Sequence, residues 1–238
     1  MAPSEQAQKT HDELFPNHVS TLVVTDPELI ETFDNFAFDE VLSHSNLDTR
    51  TRLMVQLASI IASQAVQEYR AMLRAALTVG VTPIEAKEVF DFIHVTNEVL
   101  TERGVELPLP SQSTTTAQNR MEKGLAIQKQ IIGSDAVEKL YAAAPADEQH
   151  IQRYLSANCF GDHYTRMGID IPTRELLTFS MLVSMGGCDP QVKGHVAANL
   201  NVGNSRARLI DVLTQLLPFI GYPRTLNGLR AVDDVTKS

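Results

Sequence analysis

"LDTRTRLMVQLASIIA", residues 47–62, and "IDIPTRELLTFSMLVS", residues 169–184, are the two stretches whose reading decides the fold. Laid together at an offset of 122, Asp48 meets Asp170, Thr51 meets Thr173, Arg52 meets Arg174, and the apolar positions coincide. Farther on the offset becomes 123: "LTVG" (77–80) meets "LNVG" (200–203), and a helix start follows each. Self-similarity of this length predicts one helical unit present twice in the chain.

The surrounding punctuation is helical throughout. Asp26-Pro27 reads as an N-cap followed by proline at the first helical position, leading into "ELIETFDNFAFDEVL" with apolar residues three and four apart. "TPIEAKEVFDFIHV" opens with Thr82 three residues ahead of Glu85, a capping box with Pro83 just inside it. Glycines 80 and 203 read as helix stops. No run of β-branched alternation interrupts these signals, so the expected class is all-α. "GVELPLPSQSTTTAQ", residues 104–118, is rich in Pro, Ser and Thr and reads as a linker. Domains are therefore expected over 1–110 and 111–238.

Composition narrows the function. The 238 residues are 43% hydrophobic and 21% charged, as in a soluble globular protein. Net charge is −9, with Lys and Arg scattered, and aromatic residues are only 6%, which argues against nucleic acid or an anionic membrane as partner. The N-terminal residues read as neither secretion signal nor anchor, and two cysteines are too few for a disulfide framework, so a cytoplasmic location is expected. A small molecule is the expected ligand.

The two copies differ in their polar residues. Leu53 stands opposite Glu175, Ala65 opposite Cys188 and Met72 opposite His195. The chemistry is thus expected in the second copy, with the first supplying packing, an oligomer surface or one wall of a site. In "GGCDPQVKGH" (186–195) Cys188 precedes His195 by seven positions, which is not a usual zinc-ligand spacing, and no metal is expected.

Read as a whole, "TRELLTFSMLVSMGGCDPQVKGHVAANLNVG…LIDVLTQLLPFIGYPRTLNGL" resembles the carboxymuconolactone decarboxylase family, whose helical fold is shared with the alkylhydroperoxidase D proteins. The resemblance is clear over about 118–236 and weaker over about 20–104. It implies two tandem alkylhydroperoxidase D-like helical domains. Because the family forms trimers or hexamers of single domains, it also implies a homo-oligomer, a trimer of two-domain chains forming a pseudo-hexamer.

Two activities come with that resemblance. The alkylhydroperoxidase pattern, Cys-x-x-Cys-x-x-x-His with an upstream glutamate, places Cys188, His195 and Glu175 in matching positions, but Gln191 stands where the second cysteine belongs. One thiol without that partner needs an outside thiol to resolve its sulfenic acid, which weakens the peroxide-reducing alternative. The decarboxylase members use no cysteine pair and need no cofactor or metal. For them the resemblance implies loss of carbon dioxide from 4-carboxymuconolactone. His195 would act as general acid/base, Glu175 would set its tautomer, and Arg174 or Arg166 would hold a substrate carboxylate. His163, Arg224 and Asn227 complete the expected substrate-binding set. A third alternative is a non-catalytic oligomeric binding protein.

Overall fold

The structure is a computed structural model and describes residues 3–89 and 91–237. The first repeat begins with α1 (Glu5–Leu14), α2 (Leu22–Thr25) and α3 (Pro27–Asn35). A π-helical segment (Phe36–Glu40) and α4 (Val41–Ser43) follow, then α5 (Thr49–Ala62), α6 (Val66–Thr78), α7 (Pro83–Lys87) and α8 (Ile93–Glu102). The second repeat contains α9 (Arg120–Ile132), α10 (Ser134–Ala143), α11 (Gln149–Tyr154) and a longer π-helical segment (Leu155–Tyr164). It closes with α12 (Ile171–Met185), α13 (Asp189–Asn201) and α14 (Arg206–Thr236). No strand occurs among the described residues.

The duplication is visible in the elements. Pro27 opens α3 and Gln149 opens α11, Thr49 opens α5 and Ile171 opens α12, each pair 122 residues apart. Asp48 and Asp170 cap their helices identically, each carboxylate accepting the amide of the residue three positions on, Thr51 at 3.0 Å and Thr173 at 2.8 Å. Between α5 and α6 a single residue, Gln64, takes a left-handed φ of 59°, whereas between α12 and α13 two glycines do so, Gly186 at 70° and Gly187 at 72°. That additional glycine accounts for the change of offset. The pairing extends to the last helices: Phe92 (φ 50°) and Gly221 (φ 72°) both bend the chain, and four residues later Thr96 and Thr225 each donate a hydroxyl back to that residue's carbonyl.

Local reading and structure part in three places. The run expected as one helix from Pro83 breaks after Lys87, and α8 starts afresh at Ile93 behind the left-handed Phe92. The capping box itself forms, with Thr82 Oγ1 accepting the Glu85 amide and Glu85 accepting the Thr82 amide. Asp26 does precede Pro27 at the first helical position, but its side chain takes the Thr25 hydroxyl and caps nothing. The 104–118 stretch is non-helical over most of its length but not loose: Thr114 and Thr115 donate to the carbonyls of Thr165 and Gly161, and the Met167 amide donates to Gln112.

The equivalent helices α5 and α12 pack against each other at the centre. One continuous apolar core therefore runs through both repeats, from Leu53, Leu57 and Leu73 to Leu176, Phe179 and Leu213, all essentially inaccessible. Ser184 donates to Ser59 across this seam at 2.8 Å. A smaller cluster around Ile131, Phe160, Tyr164 and Ala198 lies beside it in the second repeat and forms one side of the polar site described next.

Candidate active site

The site is built where α12 faces α13. Glu175, in the second turn of α12, is completely buried, and its Oε2 lies 2.8 Å from His195 Nδ1 on α13. A carboxylate accepts, so the ring carries its proton on Nδ1 and leaves Nε2 as a proton acceptor. The imidazole is a quarter exposed, and so the pair is anchored inside while its working edge reaches the surface.

The two helices are held in register by amides. Asn199, one turn beyond His195 and fully buried, donates through Nδ2 to the carbonyls of His195 (2.7 Å) and Glu175 (3.1 Å). Asn204 in turn donates to Asn199 Oδ1 at 2.9 Å and to the Pro172 carbonyl at 2.9 Å. These asparagines, not anticipated above, left a trace in the sequence: they punctuate "NLNVGN", where an apolar helix end would not require them.

The other side of Glu175 meets the π-helical segment. Tyr164 is hydrogen-bonded to Thr178 Oγ1 at 2.8 Å and its hydroxyl faces the Glu175 carboxylate, while Glu175 Oε1 makes no hydrogen bond. Burial first, and then the Glu175 charge, push the phenol well above its usual range, so it stays a neutral donor. Cys159 lies in the same neighbourhood, its thiol pushed up by burial and by Glu175.

Cys188 is placed differently. It is the residue preceding α13, and its thiol donates to the Leu182 carbonyl at 3.1 Å. Burial and the adjacent Asp189 raise its pKa, so no thiolate is favoured there. His195 stands seven residues along the helix, a rise of about 10 Å. Gln191, at the position of the missing second cysteine, is solvent-exposed. Arg224 and Asn227 are exposed and line a small crevice beside Cys188 with Gly186 and Gly187; the structure thus groups them with Cys188.

The two arginines expected to take a substrate carboxylate already hold one from the chain itself. Glu88, at the end of α7 in the first repeat, is inaccessible in its side chain and accepts Arg174 at 2.9 Å and Arg166 at 2.9–3.1 Å. Arg174 is buried against Glu88, whereas Arg166 shares the same partner and remains partly exposed. Gly168 makes the approach possible, since a Cβ there would lie 2.5 Å from Glu88 Cγ. The Arg174 guanidinium also sits 6.0 Å from the Tyr164 ring centre, so the ionic cluster abuts the Glu175 side of the site. His163 is half-buried near this cluster, and burial lowers its pKa most, with Asp162 opposing.

No group of three His, Cys, Asp or Glu side chains suited to a metal ion occurs among the described residues, and no described helix is long and apolar enough to cross a membrane.

Comparison with known proteins matches this arrangement to a family. The chain is 22% identical over 120 residues to a protein named 4-carboxymuconolactone decarboxylase from Acinetobacter baylyi, covering 50% of this chain and 89% of that one. It is 29% identical over 101 residues to an uncharacterized 15.0 kDa protein of Paracoccus denitrificans, covering 42% of this chain and 70% of the other. The model of the carboxymuconolactone decarboxylase family matches twice, over 27–104 and 149–234, one match for each repeat. With both repeats matched and together making up most of its length, the chain belongs to the carboxymuconolactone decarboxylase family.

Proposed function

We propose that the second repeat, taken over 111–238, is a cofactor-independent carboxy-lyase acting on a small lactone carboxylate, with His195 as the proton-transfer residue. The observation that carries this reading is the 2.8 Å pair between a fully buried carboxylate, Glu175, and a partly exposed imidazole, His195. Loss of carbon dioxide breaks the bond to the carboxyl carbon and leaves its electron pair conjugated with the lactone carbonyl. A proton must then reach carbon: Nε2 of His195 takes one from solvent to give the imidazolium and passes it to that carbon, returning to the neutral ring. Glu175 fixes the tautomer and stabilises the imidazolium formed in the cycle.

Because Glu88 engages Arg174, the substrate carboxylate is assigned to the surface beside His195, with the partly exposed Arg166 as its proposed counter-charge. The name of the Acinetobacter relative makes 4-carboxymuconolactone the first substrate to try. The first repeat, over 1–110, is a supporting unit, and the exposed apolar residues Val19, Val24, Leu29 and Met167 support self-association.

The test is carbon dioxide release from freshly generated 4-carboxymuconolactone by wild type, His195→Ala and Glu175→Gln. Expected are a fall of about 100-fold or more for His195→Ala and a smaller one for Glu175→Gln. Turnover by His195→Ala at the wild-type rate refutes the role of the histidine, and no turnover by folded wild type refutes the substrate.

A further inference from the structure

The repeats also differ in how they fill the space between their first helices. In the second repeat α10 carries Tyr141, whose one hydroxyl proton faces both Ser156 Oγ (2.7 Å) and the Gln152 carbonyl (3.1 Å). Ser156 in turn donates to Gln128 on α9. The counterparts of Gln152 and Ser156, 122 residues earlier, are Ile30 and Asp34. In the first repeat α1 packs on α3, α6 and the π-helical segment, taking the place that α9 holds against α13 and the longer π-helical segment. It brings His11 close enough for the imidazole to act on the Asp34 carboxyl.

Nothing like α10 is present there. The connection from α9 to α11 contains a ten-residue helix, whereas that from α1 to α3, "FPNHVSTLVVTD" (15–26), contains only the four-residue α2 and has no tyrosine. What the first repeat has instead is a cavity of about 530 Å³, within the usual range for small-ligand sites. Ile30 and Asp34 line it together with His11, Phe15, Phe33 and Phe38. The rings form a continuous wall: Phe38 lies 6.0 Å from Phe33, 6.2 Å from Phe15 and 5.8 Å from His11, centre to centre. His11 Nδ1 makes no hydrogen bond, lying 3.6 Å from an Asp12 oxygen.

We propose that this cavity is a binding site for a small neutral phenol, its ring against Phe15, Phe33 and Phe38 and its hydroxyl on Asp34, where the second repeat uses the phenol of its own Tyr141. The internal copy supplies the ligand class: the same position in the same fold is filled there by a phenol bonded to the residue equivalent to Asp34. A carboxylate is a stronger acceptor than the serine it replaces, and a neutral O–H donor satisfies it without burying a second charge. The site lies in the repeat without Glu175 and His195, so it stands apart from the lyase reading.

The experiment is titration of the full chain with p-cresol, the free side chain of tyrosine, by calorimetry and ligand-observed NMR, beside toluene. Ala71, on the cavity wall in α6, is replaced in Ala71→Trp to fill the space, and Asp34→Leu removes the acceptor. Expected are saturable p-cresol binding about tenfold or more tighter than toluene, a drop of about tenfold in Asp34→Leu, and loss in Ala71→Trp with its helical circular dichroism retained. Absence of saturation, equal binding of toluene, or unchanged binding by folded Ala71→Trp overturns the proposal. Should Asp34→Leu fail to fold, the toluene comparison and Ala71→Trp decide alone.

Discussion

Cys188 shows at the scale of one residue why position in a motif is not chemistry. It aligns with a redox cysteine, yet the fold gives its thiol a backbone carbonyl as acceptor, partial burial and Asp189 as neighbour, all of which favour the protonated form. Only the thiolate attacks an electrophile. Alkylation of Cys188 by iodoacetamide, followed on its own peptide by mass spectrometry, is therefore expected to be slow at pH 7. It should rise roughly tenfold per pH unit up to and beyond the usual thiol value of 9.0. A rate that levels off below pH 8 would mean a lowered pKa and would revive the peroxidase alternative. His195 is the opposite case. Its partner Glu175 was legible as a motif match, but Tyr164, Thr178 and Asn199 acquire their roles only when three elements meet, and none has a spacing signature that announces it.

At the scale of elements, the helices were legible because caps and glycines are local chemistry, and the same aspartate cap recurs at Asp48 and Asp170. The π-helical segments were not: a π turn depends on what the segment packs against, and "LSANCFGDHY" carries no local mark of it. That segment crosses α9 at glycine contacts. A Cβ on Gly124 would lie 1.9 Å from the Ser156 carbonyl oxygen, and one on Gly161 would lie 2.2 Å from the Arg120 carbonyl oxygen. Backbone atoms cannot step aside as side chains do, so Gly124→Ala is expected to destabilise the protein by about 3 kcal/mol. Gly194→Ala, in the exposed middle of α13 with nothing within 4 Å of the added methyl, is expected to stabilise by up to about 1 kcal/mol through helix propensity. Urea denaturation of the two variants checks both signs, and a neutral Gly124→Ala would mean that the α9 crossing is looser than described.

At the scale of the whole molecule, the duplication shows as two family matches, with the Glu175–His195 pair in the second repeat. The repeat register and both family matches were foreshadowed by the offset of 122, but the packing of α5 on α12 and the ionic link between repeats were not. Glu88 sits in "AKEVF", an unremarkable helix end, and Arg166 and Arg174 lie 78 and 86 residues away. Their meeting is a product of tertiary structure. It ties the first repeat to the start of the helix that carries Glu175. Removing the carboxylate leaves Arg174 buried without its counter-charge, and breaking one side of such a pair typically costs 3–5 kcal/mol. Glu88→Ala is expected to lose about that much in urea unfolding. Arg174→Met combined with Glu88→Leu should recover part of it, because the stranded charge is then gone. If Glu88 serves only as a structural tie, the proposed carbon dioxide release per folded molecule will be unchanged in Glu88→Gln. If it also sets the position of α12, kcat will fall while the mutant remains folded, and failure of the double variant to recover stability would show that the cost lies in packing around Gly168 and not in the charge.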